Sequence, residues 1–325
     1  MSAHLTPHHT YHYGNGCLLT ALELPELAEL PSRPALPDPV LHIVRTVRPP
    51  APPAGGAIRQ HVWNDNDGNA CILGERWEDG RYRLEFPDTA TAVIASDGRD
   101  IQLHADAEID AVTLRHVLLD QILPRVLSLH EPLVLHGAAV VTRTARTVVV
   151  LGRSGMGKST LSAGFERFGG GALGDDGVIV QFDGNASRVL PTYPGYRLWP
   201  DSFDELFPER ADHGLPFASG SSKRRLLPAG EQLRSPASPI AGIAILSEGT
   251  GDVCAISLQP MTASDACMAL IANSFVIDPN NPAHMARQLA TAARLCQNVR
   301  VYALQYPRDY TLLPEVVNAV SAAFE

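Results

Sequence analysis

What this 325-residue chain has little of narrows it first. Aromatic residues make up 6% of it; the five cysteines (Cys17, Cys71, Cys254, Cys267, Cys296) are odd in number and scattered, with no C-x-x-C pair. Such cysteines fit reduced thiols better than a disulfide framework or a zinc site. Basic residues are outnumbered, 26 Lys and Arg against 35 Asp and Glu, for a net charge of −9. An acidic chain has no overall positive field to attract nucleic acid or an anionic membrane, so neither is expected as a partner. No run approaches the ~18 consecutive apolar residues of a membrane span. The N-terminus lacks a basic segment followed by an apolar one, and a cytoplasmic protein is expected. Four early histidines (His4, His8, His9, His12) have no cysteine or acidic ligands at fixed spacing and read as a frayed polar terminus.

What is present is ample apolar content, 45%, enough for packed cores in roughly two domains at ~150 residues each. Prolines punctuate residues 25 to 53, so 1–56 reads as a loop-rich lead-in. Short strands are expected at His61 to Trp63, Cys71 to Leu73, Arg81 to Phe86, Thr91 to Ala95 and Asp100 to His104. Turn signals separate them at Asp67-Gly68-Asn69, Asp79-Gly80 and Asp97-Gly98. A helix is expected over Asp110 to Leu129, broken or kinked at Pro124. Together 57–130 read as a small α+β, β-rich domain.

Leu133 to Val141 and Thr147 to Leu151 read as an antiparallel pair, and the second runs into Gly152-Arg153-Ser154-Gly155-Met156-Gly157-Lys158-Ser159. This octapeptide fits G-x-x-x-x-G-K-[ST] at every fixed position. Glycines let backbone N–H groups turn inward around phosphate oxygens, Lys158 supplies a point charge, and Ser159 offers a hydroxyl to Mg²⁺. With Thr160 these residues are the expected nucleotide-binding set. A helix follows, with Leu161, Phe165 and Phe168 on one face, and Gly169-Gly170-Gly171 closes it. Its N-terminus points unsatisfied N–H groups at the anion. Farther on, about 187–240 reads as mostly irregular. Strands are expected at Ile240 to Leu246, Val253 to Leu258 and Val299 to Gln305, and helices at Ala263 to Asn273, Pro282 to Cys296 and Pro314 to Phe324.

A triphosphate loop alone does not separate hydrolase from kinase, so residues that handle an acceptor matter most. Asp175-Asp176 follows the strand after the loop helix. One carboxylate there suits Mg²⁺, and the other suits receipt of a hydroxyl proton. Asp175 is read as base and Asp176 as metal ligand with Ser159, with the reverse order left open. His136 lies in an apolar strand beside the loop strand. It is read as a hydrogen-bond partner that lowers the proton affinity of the base. The basic run Lys223-Arg224-Arg225 is read as a cation clamp on phosphate or an acidic peptide, or else as a solvated loop. Tyr196 and Trp199 are read as groove lining or as core.

Three segments carry a family resemblance: His136-Gly137 within L-V-L-H-G-A-A-V-V, the loop G-R-S-G-M-G-K-S, and Gly174-Asp175-Asp176. Over about 133–182 the chain resembles the HPr kinase/phosphorylase-like serine kinases, whose core shares its phosphate-loop arrangement with phosphoenolpyruvate carboxykinase. Leu198-Trp199-Pro200-Asp201 and Leu304 to Tyr310 look like segments of divergent members. The resemblance implies an α/β fold, with a kinase core of that type over 131–325 behind the β-rich N-terminal domain. It implies ATP and Mg²⁺ as cofactors, Asp175 as base beside His136, and homo-oligomers. Similar divergent kinases accompany lasso-peptide biosynthesis and phosphorylate the C-terminal serine of the precursor, so the expected partner is a peptide or small protein bearing an acceptor serine. Arg153 stands where HPr kinases usually carry an acidic residue, and their C-terminal signature segment has no clear match. HPr itself and reverse phosphorolysis are therefore not expected. A small-molecule or carboxykinase-like kinase and a nucleotide-gated regulatory module are the alternatives.

Overall fold

The structure is a computed structural model describing residues 9–27, 38–65, 67–193, 195–210, 214–217, 221–226, 237–247 and 255–325. The chain divides into two compact units: Met1–Glu131 with Val276–Ala286, and Pro132–Phe275 with Arg287–Glu325.

The first unit holds eight strands: β1 (His9–Tyr13), β2 (Gly16–Thr20), β3 (Val40–Thr46), β4 (Ala57–Asn64), β5 (Ala70–Trp77), β6 (Tyr82–Phe86), β7 (Ala90–Ile94) and β8 (Asp100–His104). They form one sheet in the order β1-β2-β3-β8-β7-β6-β5-β4. β4 to β8 is an antiparallel meander whose turns use Gly68, Gly80 and Gly98 at φ of 86°, 90° and 75°. Alternate residues face inward, Tyr82, Leu84 and Phe86 on β6 and Ile101 and Leu103 on β8, as a period of two requires.

Three of these strands correct the expectation of a loop-rich lead-in. Residues 9–13, 16–20 and 40–46 are paired strands, and the described prolines Pro25, Pro39, Pro49, Pro50, Pro52 and Pro53 stand between strands, where no ladder bond is lost. His9 and His12 lie in β1 and not in a frayed end; His4 and His8, like Pro31, Pro34 and Pro37, lie outside the described residues. Val276–Ala286, assigned from sequence to the C-terminal domain, belongs to this unit and ties in through Asp278, 2.8 Å from the Arg59 guanidinium.

The helical stretch begins where Asp110 caps α1 (Ala111–His116), accepting from the N–H groups of Val112 and Thr113. It then widens into a π turn over Val117–Ile122, where Leu123 N–H reaches Leu118 O, and resumes as α2 (Leu123–Leu127). Pro124 has no N–H to give the preceding turn, and the wider turn absorbs that loss without a break.

The second unit is a three-layer α/β arrangement. β9 (Leu133–Leu135), β10 (Gly137–Val141), β11 (Thr147–Leu151), β12 (Gly171–Gly174), β13 (Val178–Asp183), β14 (Ala186–Pro191) and β18 (Ser238–Leu246) form the path β12-β10-β11-β18-β14-β13-β9. Beyond β18 lies β20 (Arg300–Gln305), parallel to it and flanked in turn by β19 (Ser257–Pro260). A smaller sheet joins β15 (Tyr196–Leu198), β17 (Arg224–Leu226) and β16 (Leu215–Pro216).

β11 is buried on both faces. Val148 and Val150 pack with α3 (Lys158–Arg167) and α7 (Leu313–Phe324) through Leu161, Phe165, Val316 and Phe324. Val149 and Leu151 pack the other way, with Leu270 of α5 (Ala263–Ala272) and Leu295 of α6 (Pro282–Asn298). An all-apolar V-V-V-L strand is what such two-sided burial selects.

Two expectations fail here. Leu133 to Val141 is not one strand but two, interrupted at His136. The 187–240 region, expected to be irregular, carries the end of β14, then β15, α4 (Pro200–Leu206), β16 and β17. Its prolines and glycines mark the joints between short elements. Of the strand expected from Val253, Ser257 onward is observed as β19, and residues 253–254 lie outside the described residues.

Candidate active site

The loop between β11 and α3 takes its shape from its glycines. Gly152, Gly155 and Gly157 have φ of 152°, 81° and 95°, values that side chains resist. A Cβ on Gly152 would lie 2.9 Å from the Leu246 Cβ, at the end of the neighbouring parallel strand β18. One on Gly157 would lie 3.4 Å from the Tyr306 hydroxyl. At Gly155 it would meet nothing within 4 Å, so the middle of the loop faces open space. Leu161 N–H makes the first helical bond to Gly157 O at 2.9 Å, leaving the preceding N–H groups of α3 directed out of its N-terminus.

Lys158 is 5% exposed, and its Nζ donates to the carbonyls of Gly152 at 2.7 Å and Arg153 at 3.3 Å. Burial pushes its pKa down; the charges of Asp176 and Asp175 act against that. Arg153, Ser154 and Gly155 are exposed, Met156 packs against the core, and Ser159 is half-buried. Thr160 turns its hydroxyl to Ser202 of α4, 3.2 Å away.

The aspartate pair arrives opposite this loop because two strands break at the same level. β9 pairs with β13 and β10 with β12, so the residue between β9 and β10, His136, faces the link between β12 and β13, Asp175-Asp176-Gly177. Glycines bracket the link for a steric reason. A Cβ on Gly174 would sit 2.5 Å from the Pro191 side chain, and one on Gly177 would sit 2.7 Å from the Thr192 hydroxyl. Asp176 itself is left-handed, φ 68°, a region aspartate tolerates better than most residues.

Asp175 is fully buried, its Oδ2 accepts the Arg197 N–H at 3.4 Å, and its Oδ1 has no hydrogen-bond partner among the described residues. Burial and then the Asp176 charge push its pKa up to about 6; Arg197, the Ser159 hydroxyl and Lys158 oppose them. The pair is therefore split. Asp176 is ion-paired to Arg197, while Asp175 holds an oxygen that accepts no hydrogen bond among the described residues, with the Ser159 hydroxyl near enough to favour its charged form.

His136 plays a different part from the one expected. Its Nδ1 lies 3.2 Å from the Asp176 backbone carbonyl, which can only accept, so Nδ1 carries the proton. Desolvation, followed by the charge of Lys158, pushes its pKa down to about 4. It is neutral at pH 7 and supplies no positive charge to depress Asp175. Its N–H holds the backbone of the carboxylate link in place.

Arg197 and Tyr193 were missed by sequence reasoning. Arg197 on β15 is 3% exposed; its Nε lies 2.9 Å from Asp176 Oδ2, and a terminal nitrogen donates to Asp175 O at 2.9 Å. Its other terminal nitrogen donates to the Tyr193 hydroxyl, which also accepts from Arg225 at 2.8 Å. Arg197 and Arg225 are register partners across β15 and β17.

The basic run is thereby divided. Arg225 is buried on Tyr193, Arg224 is exposed, and Lys223 sits over the Trp199 ring at 4.9 Å, near enough to Lys158 to disfavour its charge. Tyr196 is core, bonded to Glu166 at 3.0 Å, whereas Trp199 is 48% exposed. The two outlying segments singled out by sequence also meet, with Tyr310 donating to Asp201 at 2.8 Å.

The donors present fit a nucleotide and its metal. Open space over Gly155, the N–H groups of α3 and the Lys158 ammonium suit phosphate oxygens. Ser159 and Asp176 supply two oxygen donors, the number Mg²⁺ takes from protein when phosphates supply others. Among the described residues no cluster of three or more His, Cys, Asp or Glu side chains forms a metal cage. None of the described helices is long and apolar enough to cross a membrane.

No protein-family model matches the chain, and no curated protein does. Among solved structures, the Hpr(Ser) kinase/phosphatase from Coxiella burnetii is similar over 58% of this chain and 97% of its own, at 11% identity and a TM-score of 0.31. No residue's role here is taken from it.

Proposed function

We propose that the chain is an ATP-dependent serine kinase that transfers the γ-phosphate of ATP to a serine hydroxyl of a peptide or small protein. The observation that carries this reading is Asp175: a buried carboxylate with one unbonded oxygen, raised to about 6, beside a glycine-rich phosphate loop.

Residues 152–160 bind the phosphates through loop and helix N–H groups. Lys158 exchanges the Gly152 carbonyl for phosphate oxygen. Ser159 and Asp176 would hold Mg²⁺, which when bound neutralises charge on the transferring phosphoryl group. Asp175 accepts the serine proton as the hydroxyl attacks; its raised pKa makes it a stronger base than an ordinary carboxylate while it remains ionised at neutral pH. In this reading Lys223 and Trp199, which pack together, and exposed Arg224 receive the acceptor; the nearness of Lys223 to Lys158 supports it.

The acceptor proposed is the C-terminal serine of a lasso-peptide precursor, in a cytoplasmic homo-oligomeric enzyme. What suggests this acceptor is the likeness of Leu198 to Asp201 and Leu304 to Tyr310 to segments of the divergent HPr-kinase-like proteins. Incubation with Mg²⁺-ATP and serine-terminated peptides is expected to add one phosphate to serine, read by mass spectrometry with site mapping. ATP binding with transfer only to free serine, sugars or oxaloacetate would replace the peptide acceptor with a small molecule.

A further inference from the structure

Two adjacent aspartates of like charge need something to tell them apart. Arg197 touches both. Its Nε pairs with Asp176 Oδ2 at 2.9 Å, its backbone N–H occupies Asp175 Oδ2 at 3.4 Å, and a terminal nitrogen holds the Asp175 carbonyl at 2.9 Å. What is left over is Asp175 Oδ1. The guanidinium is itself fixed from behind by the Tyr193 hydroxyl, which the register partner Arg225 anchors from β17.

We propose that Arg197 is a positioning residue that sorts the carboxylate pair, fixing Asp176 on the metal side and aiming Asp175 Oδ1 at the acceptor hydroxyl. This rests on the kinase reading above and deepens it by assigning different tasks to the two aspartates. The geometry uses a planar cation whose Nε side lies in an ion pair with Asp176 while its terminal nitrogens donate to the Asp175 carbonyl and the Tyr193 hydroxyl; a lysine at this position keeps the charge but reaches one acceptor at a time. The same arginine, the register partner of Arg225 in β17, links the small sheet to the carboxylates.

The test compares the parent with Arg197→Gln, Arg197→Lys and Tyr193→Phe. ATP affinity is measured by calorimetry in EDTA and in Mg²⁺, and kcat and KM by peptide phosphorylation. For both Arg197 variants we expect ATP affinity in EDTA to stay within about threefold, while the gain in affinity on adding Mg²⁺ shrinks roughly tenfold or more, as for loss of a residue that orients a ligand. Their kcat should fall by about 30-fold or more with acceptor KM within about threefold, the pattern of a lost transition-state interaction. Tyr193→Phe, which keeps the ring and removes one hydroxyl, should lower kcat by about three- to tenfold.

Parental kcat and Mg²⁺ gain in Arg197→Lys would overturn the proposal, because charge alone would then suffice. Loss of ATP affinity in EDTA in step with kcat would overturn it too, since the residue would then be merely structural. If the Arg197 variants do not fold, Tyr193→Phe decides: unchanged kcat and Mg²⁺ gain would refute the arrangement. A parent that phosphorylates no acceptor defeats the kinase reading by itself, and the Mg²⁺ gain in ATP affinity still tests Arg197.

Discussion

The ammonium of Lys158 is folded back onto the loop it closes, donating to the Gly152 carbonyl at 2.7 Å while 5% exposed. Among the described residues its hydrogen bonds go to main-chain carbonyls, and in the proposed reading it trades them for phosphate oxygens, which offer full negative charge. Lys158→Ala is expected to lower ATP affinity by about 100-fold or more, by calorimetry, since charge-assisted bonds are worth ~1.5–3 kcal/mol each. Unchanged ATP affinity would count against the loop as the nucleotide site.

Asp175 gives a pH dependence with a defined sign. A base must be ionised, so transfer should rise with pH through a midpoint near the value of about 6 to which burial and Asp176 push it. Because its folded pKa lies above that of an ordinary carboxylate, the stability linked to it is present at low pH and is lost as pH rises through about 6. Asp175→Asn should therefore cost ~10²–10⁴-fold in kcat and yet raise the melting temperature at pH 7.5, an advantage that shrinks toward pH 5.

His136 should not tune that midpoint. Its folded pKa, about 4, lies below the usual histidine value, so stability falls as pH drops from the ordinary histidine range through about 4, and the ring is neutral at pH 7. His136→Leu removes the N–H held by the Asp176 carbonyl and should cost ~1–3 kcal/mol in denaturant unfolding. The pH midpoint of transfer should stay in place. A shift of the midpoint upon this substitution would restore an electrostatic role for the ring.

The loop glycines differ in what they carry. Gly152→Ala meets both positive φ and the Leu246 side chain, whereas Gly155→Ala meets positive φ alone. The first should destabilise the protein clearly more than the second, for which strain of ~1 kcal/mol is expected from the left-handed backbone. Equal melting temperatures for the two variants would show that β18 does not press on the loop.

How legible this was depends on the range of the interactions. The β11, loop and α3 succession was readable because strand period, glycine spacing and the Leu161–Phe165 helical face all lie within about twenty residues of one another. The turns at Gly68, Gly80 and Gly98 were readable for the same local reason. β1 to β3 were not: prolines between strands look like prolines within loops until the partner strands are known, and β3 pairs with β8 across some sixty residues. The break at His136 was hidden because β9 and β10 are equally apolar, and only pairing with β13 and β12 separates them. Asp175 and His136 were picked out by residue type and neighbourhood. Their electrostatics were not, since burial of both groups reverses the effect expected of an imidazolium beside a carboxylate. Arg197 had no local signal, as an arginine in G-Y-R-L-W-P reads as a surface residue until β15 is seen beside the aspartates.

Phosphoryl transfer as proposed depends on an unbonded carboxylate oxygen, Asp175 Oδ1, receiving a proton beside a phosphate loop. Its most direct measurement is transfer of the labelled γ-phosphate of ATP to a serine peptide by the parent and by Asp175→Asn under saturating nucleotide. Phosphoserine should form with the parent, and kcat should fall by at least about 100-fold in the variant with ATP affinity retained. Transfer by Asp175→Asn at the parental rate would contradict it.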